Sequence, residues 1–135
     1  MKVIPPILLG FAILFVGIYV SGRLALYEDF PYFDSLMHVL GGATIAWVIL
    51  AYAQQRGYSR PSLKKVLTIT IVIGLLWELA EYVSGVTLKG TIIYKYYHGG
   101  DRLDTFFDVL MDALGALSVY GLSRLLSNSL QRSDS

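Results

Sequence analysis

The sequence predicts an all-α, polytopic membrane protein, a bundle of four transmembrane helices, and three observations carry that prediction. Hydrophobic residues fill 55% of the 135 positions and charged residues only 16%, a balance outside that of ordinary soluble domains. Four apolar stretches, near residues 5–26, 34–52, 63–83 and 104–126, approach the roughly 20 residues a helix needs to cross a bilayer. Basic residues crowd the short connection between the second and third stretches, the signature of a cytoplasmic loop. A chain of this length is read as one membrane domain, 1–135, with a polar tail at 127–135. The net charge of +1 provides no basic field for nucleic acid, and the absence of cysteine excludes disulfides and thiolate ligands.

The first stretch opens Ile4-Pro5-Pro6 and contains no ionisable residue; proline is tolerated at a helix start because those amides lack partners anyway. Lys2 ahead of the run and the small residues Val20-Ser21-Gly22 have the form of a signal peptide, but the run is too long for an h-region, so an uncleaved span is expected. Gly10, Gly17 and Ser21 would let a neighbouring helix approach closely. Before the second span, Asp34 and Ser35 are expected to act as helix caps. Gly57 and Pro61 mark the turn between the second and third spans. The segment 85–103 is the longest connection. Its β-branched and aromatic run from Thr91 to Tyr97 predicts a short hairpin or re-entrant lid, joined to the fourth helix through His98-Gly99-Gly100.

Placing Arg56, Arg60, Lys64 and Lys65 in the cytoplasm puts Lys2, Arg124 and Arg132 there too, seven basic residues against four outside (Arg23, Lys89, Lys95, Arg102). Both termini are then cytoplasmic. The acids divide more sharply: all except Asp134 fall toward the outer face. Acids contribute little to orientation, so a site in the outer half of the bundle is the expected cause.

Three polar stripes build that site. Asp104, Asp108 and Asp112 are four residues apart and share one face of the fourth helix, which continues as Gly115, Ala116 and Val119. Asp34 and His38 share a face of the second helix above Gly41, Gly42, Ile45 and Ala46, and Glu78 and Glu81 share one on the third with Gly74. Ionisable residues inside a membrane are costly and mark function by default. Several carboxylates at one depth require bound cations, protonation or basic partners. An oxygen-rich set with one imidazole suits Mg, Mn, Fe or Zn. The expected ligands are His38, Glu78, Asp108 and Asp112, with Glu81 and Asp108 as catalytic groups. Asp34, Asp104, Arg102 and Lys95 are read as supporting groups or phosphate contacts. The Glu-x-x-His pair of di-iron bundles is absent.

Phe33-Asp34-Ser35-Leu36-Met37-His38 with Gly41-Gly42, Trp77-Glu78-Leu79-Ala80-Glu81, and Asp104-Thr105-Phe106-Phe107-Asp108 through Asp112-Ala113-Leu114-Gly115-Ala116 together resemble the YjdF-like family of small bacterial and archaeal inner-membrane proteins. More distantly they resemble VanZ-like proteins. The resemblance implies a polytopic helical fold in a prokaryotic cell membrane and an acidic site, without assigning an activity. Gly100, Asp104 and Asp108 also echo half of the CDP-alcohol phosphotransferase motif, whose upstream half is missing here. Two functions follow as expectations. One is a metal-dependent enzyme acting on lipid or lipid-linked headgroups, with membrane lipids as partners and a homo-oligomer as one assembly. The alternative is a cation or proton binding or transport protein, or a structural membrane subunit, using the same acids.

Overall fold

The structure, a computed structural model, describes residues 2–20, 30, 32–87 and 102–133, and within these every regular element is helical. The elements are α1 (Ile4–Phe15), continued by a π-helical turn (Val16–Val20), then α2 (Phe33–Gln55), α3 (Leu63–Thr87) and α4 (Arg102–Ser133). Among the described residues three helices are long and apolar enough to cross a membrane, within Phe33–Gln55, Leu63–Thr87 and Leu103–Ser127. The first expected span enters the structure as the shorter apolar helix α1 with Pro5 and Pro6 in its first turn. Residues 21–26 of that span lie outside the described residues, as do the expected lid at Thr91–Tyr97, Lys95, His98 and the side chain of Arg102.

Local chemistry sets the hairpin between α2 and α3. Gly57 takes φ = 69°, a conformation open to glycine at little cost. Its N–H donates to Gln54 O (3.1 Å) while Tyr58 N–H donates to Ala53 O (2.9 Å). That pair of bonds is a Schellman closure of α2. Ser62 then caps α3: its hydroxyl accepts from Lys65 N–H at 3.3 Å.

The expected caps at Asp34 and Ser35 are corrected, since both lie inside α2. The residue preceding α2 is Tyr32, with no side-chain cap bond, so Asp34 lies inside the first turn. Helix α4 begins at Arg102, which puts Asp104 inside the first turn as well. Carboxylates there still meet the positive end of the helix dipole. Residues 127–133 of the expected polar tail continue α4 to Ser133. No glycine or proline interrupts them, and Ser127 donates back to Ser123 O at 2.8 Å.

Helices α2 and α4 make the most extensive contact; α3 packs chiefly on α4, and α1 on α2. The buried apolar core is small, Ala46, Leu50, Val66 and Ala116, with Ile49, Leu67, Val119 and Tyr120 around it. Large apolar side chains such as Leu75, Leu76, Leu79, Phe106 and Leu125 stay exposed. This is how a bilayer protein distributes its surface, because lipid tails solvate those side chains and helices associate through close packing instead.

Glycine makes that packing close. A methyl group on Gly42 would collide with the Asp112 backbone of α4, and one on Gly115 with the backbone of Val39 and Ala43 of α2. At Gly41 the nearest atom is Asp112 Oδ1, 3.8 Å away, an ordinary contact. Gly42→Ala and Gly115→Ala are therefore expected to lose about 1–3 kcal/mol of stability by overpacking. Gly41→Ala is expected to be neutral or stabilising, since alanine favours helix. Tryptophan fluorescence during thermal unfolding in detergent would separate the two groups.

Candidate metal centre

Three helices deliver one polar centre. The N-terminal turns of α2 supply Asp34 and His38, the second half of α3 supplies Glu78, and the N-terminal half of α4 supplies Asp108 and Asp112. His38, Glu78, Asp108 and Asp112 are only 6, 8, 3 and 4% exposed. His38 is flanked on both ring nitrogens. Its Nε2 lies 3.5 Å from Glu78 Oε1 and 3.9 Å from Asp108 Oδ1, and its Nδ1 lies 3.4 Å from Asp112 Oδ2.

These separations decide what the cluster can do. They are long for N–H···O bonds, whose usual range ends near 3.2 Å. Two donors held at about 2.1 Å around one tetrahedral cation stand roughly 3.4 Å apart. Glu78 Oε1 and Asp112 Oδ2 are buried without any hydrogen-bond partner among the described residues, an arrangement that is expensive unless something else meets those oxygens. Asp34, His38 and Asp108 each present one ligand atom, and these atoms lie within 4.8 Å of one another.

The surroundings hold the groups in place. Thr105 Oγ1 donates to Glu78 Oε2 at 2.8 Å, which fixes one carboxylate oxygen and leaves the other directed at His38. The Asp112 carboxylate occupies a niche walled by Gly41 and Gly74, and a methyl on Gly74 would collide with its Oδ2. Beside the centre, a cavity of about 270 Å³ runs between α1, α2 and α3. Asp34, His38, Glu81 and Asp112 line its polar part, while Ile13, Leu14, Ile45 and Ile73 are among its apolar walls.

The chain belongs to the DUF2238 family of predicted membrane proteins. The family model matches residues 2–129, which takes in α1 through most of α4. No curated protein and no solved structure matches the chain. Within this membrane fold, Asp34, His38 and Asp108 form a cluster that could hold a metal ion.

The expected ligands His38, Glu78, Asp108 and Asp112 do converge in this DUF2238 protein, and Glu81 lies on the adjoining cavity. Asp104 is exposed, one turn away from the cluster. Asp34, read from sequence as a supporting group, has a carboxylate oxygen within ligand reach of His38 and Asp108. Thr105 was missed. Its signal was its place inside the aspartate motif, one residue after Asp104 and on the side of α4 that faces α3.

The cluster carries more carboxylates than its one imidazole can balance. In chelator, Glu78→Gln is expected to stabilise the protein by about 0.5–2 kcal/mol, the common size of a single stabilising substitution. Glutamine keeps an acceptor for Thr105 while removing a charge. A lowered thermal midpoint would instead identify Glu78 as part of a self-sufficient ion-pair network.

Proposed function

We propose that this DUF2238 protein is a YjdF-like membrane enzyme of the prokaryotic cell membrane, using one divalent cation to act on a phosphate-bearing lipid or lipid-linked headgroup. The observation that carries the reading is the two-sided histidine, with buried, unpartnered carboxylate oxygens on both ring nitrogens. Asp34, His38 and Asp108 are the assigned ligands, since their ligand atoms lie within 4.8 Å of one another, and Glu78 borders His38 Nε2 beside them. Asp112 faces Nδ1, the position from which a carboxylate orients a metal-bound imidazole. This gives Asp112 a positioning role rather than the ligand role read from sequence. A hard, oxygen-rich set of this kind suits Mg, Mn, Fe or Zn.

The cation would polarise a phosphoryl oxygen. Glu81, at the polar part of the cavity, is the assigned general base, taking a proton from the attacking water or hydroxyl. The apolar walls of the same cavity are matched to a hydrocarbon chain, which supports a lipid over a soluble phosphate ester. With the positive hairpin in the cytoplasm, the centre faces the outer leaflet and both termini face inward. A second reading, cation or proton transport, draws support from Thr70. It is fully buried, one helical turn from Gly74 toward the hairpin, and its hydroxyl has no hydrogen-bond partner among the described residues.

Elemental mass spectrometry of the detergent-purified protein tests the proposal. About one metal per chain is expected, lost in His38→Ala and Asp108→Asn, whereas Asp112→Asn should weaken affinity about 10- to 100-fold without abolishing binding. With metal loaded, Glu81→Gln should slow turnover of lipid-phosphate substrates by about 10²- to 10⁴-fold. A protein that takes up none of Mg, Mn, Fe or Zn would overturn the enzyme reading.

A further inference from the structure

The opposite end of the bundle carries a second cavity, remote in chemistry from the acid centre. It is a groove of about 660 Å³ between the end of α2, the hairpin and α4. Leu50, Ala53, Val119 and Leu122 are among its apolar walls, and Trp47, Tyr58 and Arg60 also border it. The charge around it has one sign. Arg56, Arg60, Lys64, Lys65 and Arg124 lie at this end, and among the described residues no Asp or Glu accompanies them.

Arg60 is built into the rim. Its Nη2 donates to Tyr120 O at 3.0 Å and to Ser123 Oγ at 2.6 Å, and its Nη1 to Ser123 O at 3.5 Å. The guanidinium also sits over the Tyr120 ring, 4.7 Å from its centroid, and Tyr120 OH donates to Pro61 O at 3.2 Å. Guanidinium has five N–H donors. Three are used among the described residues, which leaves two on an exposed, already oriented cation. Orienting the fork beforehand lowers the entropy lost on binding. A planar cation held in place, with a free N–H on Nε and one on Nη1 each able to meet a single oxygen, beside an apolar groove suits a phosphodiester whose hydrocarbon continues into the bilayer.

We propose that this groove binds one anionic phospholipid of the leaflet on the hairpin side, its phosphate on Arg60 and an acyl chain along Leu50, Val119 and Leu122. The uniform positive charge selects anionic over zwitterionic headgroups, and the aromatic residues Trp47 and Tyr58 suit the headgroup boundary. The site is independent of the acid centre and of any metal there.

Native mass spectrometry of the full chain, released from detergent with added phosphatidylglycerol or phosphatidylcholine of identical acyl chains, tests it. One phosphatidylglycerol should be retained about five- to tenfold more strongly than phosphatidylcholine, the effect of about one favourable cation contact. Arg60→Gln should weaken retention of phosphatidylglycerol about five- to tenfold, the loss of the phosphate contact. Leu122→Trp, at an exposed position on the groove wall, should block retention with Arg60 intact and guards against misfolding of the arginine variant. Arg124→Gln should change little, because Arg124 does not line the groove. Equal retention of both lipids, an Arg124→Gln loss as large as that of Arg60→Gln, displacement of the lipid by inorganic phosphate alone, or a lipid-free dimer occupying the groove would each overturn the proposal.

Discussion

Everything at the acid centre depends on how closely α4 approaches α2 and α3 around Asp112. The Asp112 backbone rests against Gly42, its carboxylate fills space that a side chain at Gly74 would occupy, and its Oδ2 stands 3.4 Å from His38 Nδ1. One turn on, Gly115 brings the same helix against Val39 and Ala43. Remove either glycine and α4 must stand off, which carries Asp108 and Asp112 away from His38 together. Packing and site are therefore a single constraint. The same small residues that let helices associate in lipid also set the spacing between the histidine and its carboxylates.

Around that constraint the molecule divides by charge. The described acids Asp34, Glu78, Glu81, Asp104, Asp108 and Asp112 all lie toward the end formed by the starts of α2 and α4, and the basic hairpin lies at the other. The two ends also differ in how their charges are treated. Arg60 is held by carbonyls, a hydroxyl and an aromatic ring while remaining exposed. Glu78 and Asp112 are buried, each with an oxygen left unmet among the described residues. An exposed cation that is well supported is cheap, and a buried anion that is half supported is not.

Much of this was legible in the sequence, for a reason specific to helices. A spacing of three or four residues is a statement about one face, so Asp34 with His38, Glu78 with Glu81, and Asp108 with Asp112 announced three polar stripes before any packing was known. Of the four expected spans, the last three carry the stripes, and alternating through a membrane they bring those stripes together at one end. What spacing does not carry is rotation about the helix axis. That is why Asp34 came within ligand reach when only a supporting role had been read for it, and why Thr105 was missed. Helix ends failed for a different reason. Asp34 and Asp104 are good cap residues, but helix continued past both because Phe33 before the first, and Arg102 and Leu103 before the second, are themselves compatible with helix. A carboxylate in a first turn is nearly as well placed as one at the cap.

The remaining question is whether the acid centre exists to hold the fold. A buried polar network earns a structural role when it fixes a register that packing leaves open. Here packing leaves little open. Gly42 and Gly115 already define where α2 meets α4, and the Arg60 and Tyr120 contacts tie the hairpin to α4 at the far end. A network serving register would also be expected to satisfy itself, donor against acceptor. This one sets several carboxylates around a single imidazole and holds one of them, Glu78, with a threonine hydroxyl that occupies one oxygen while its partner oxygen points at His38. Structure that orients an unmet acceptor adds cost without adding fold. Such a surplus of oriented, buried oxygen could hold a cation, and it is what supports the proposed metal-binding role over a purely structural one.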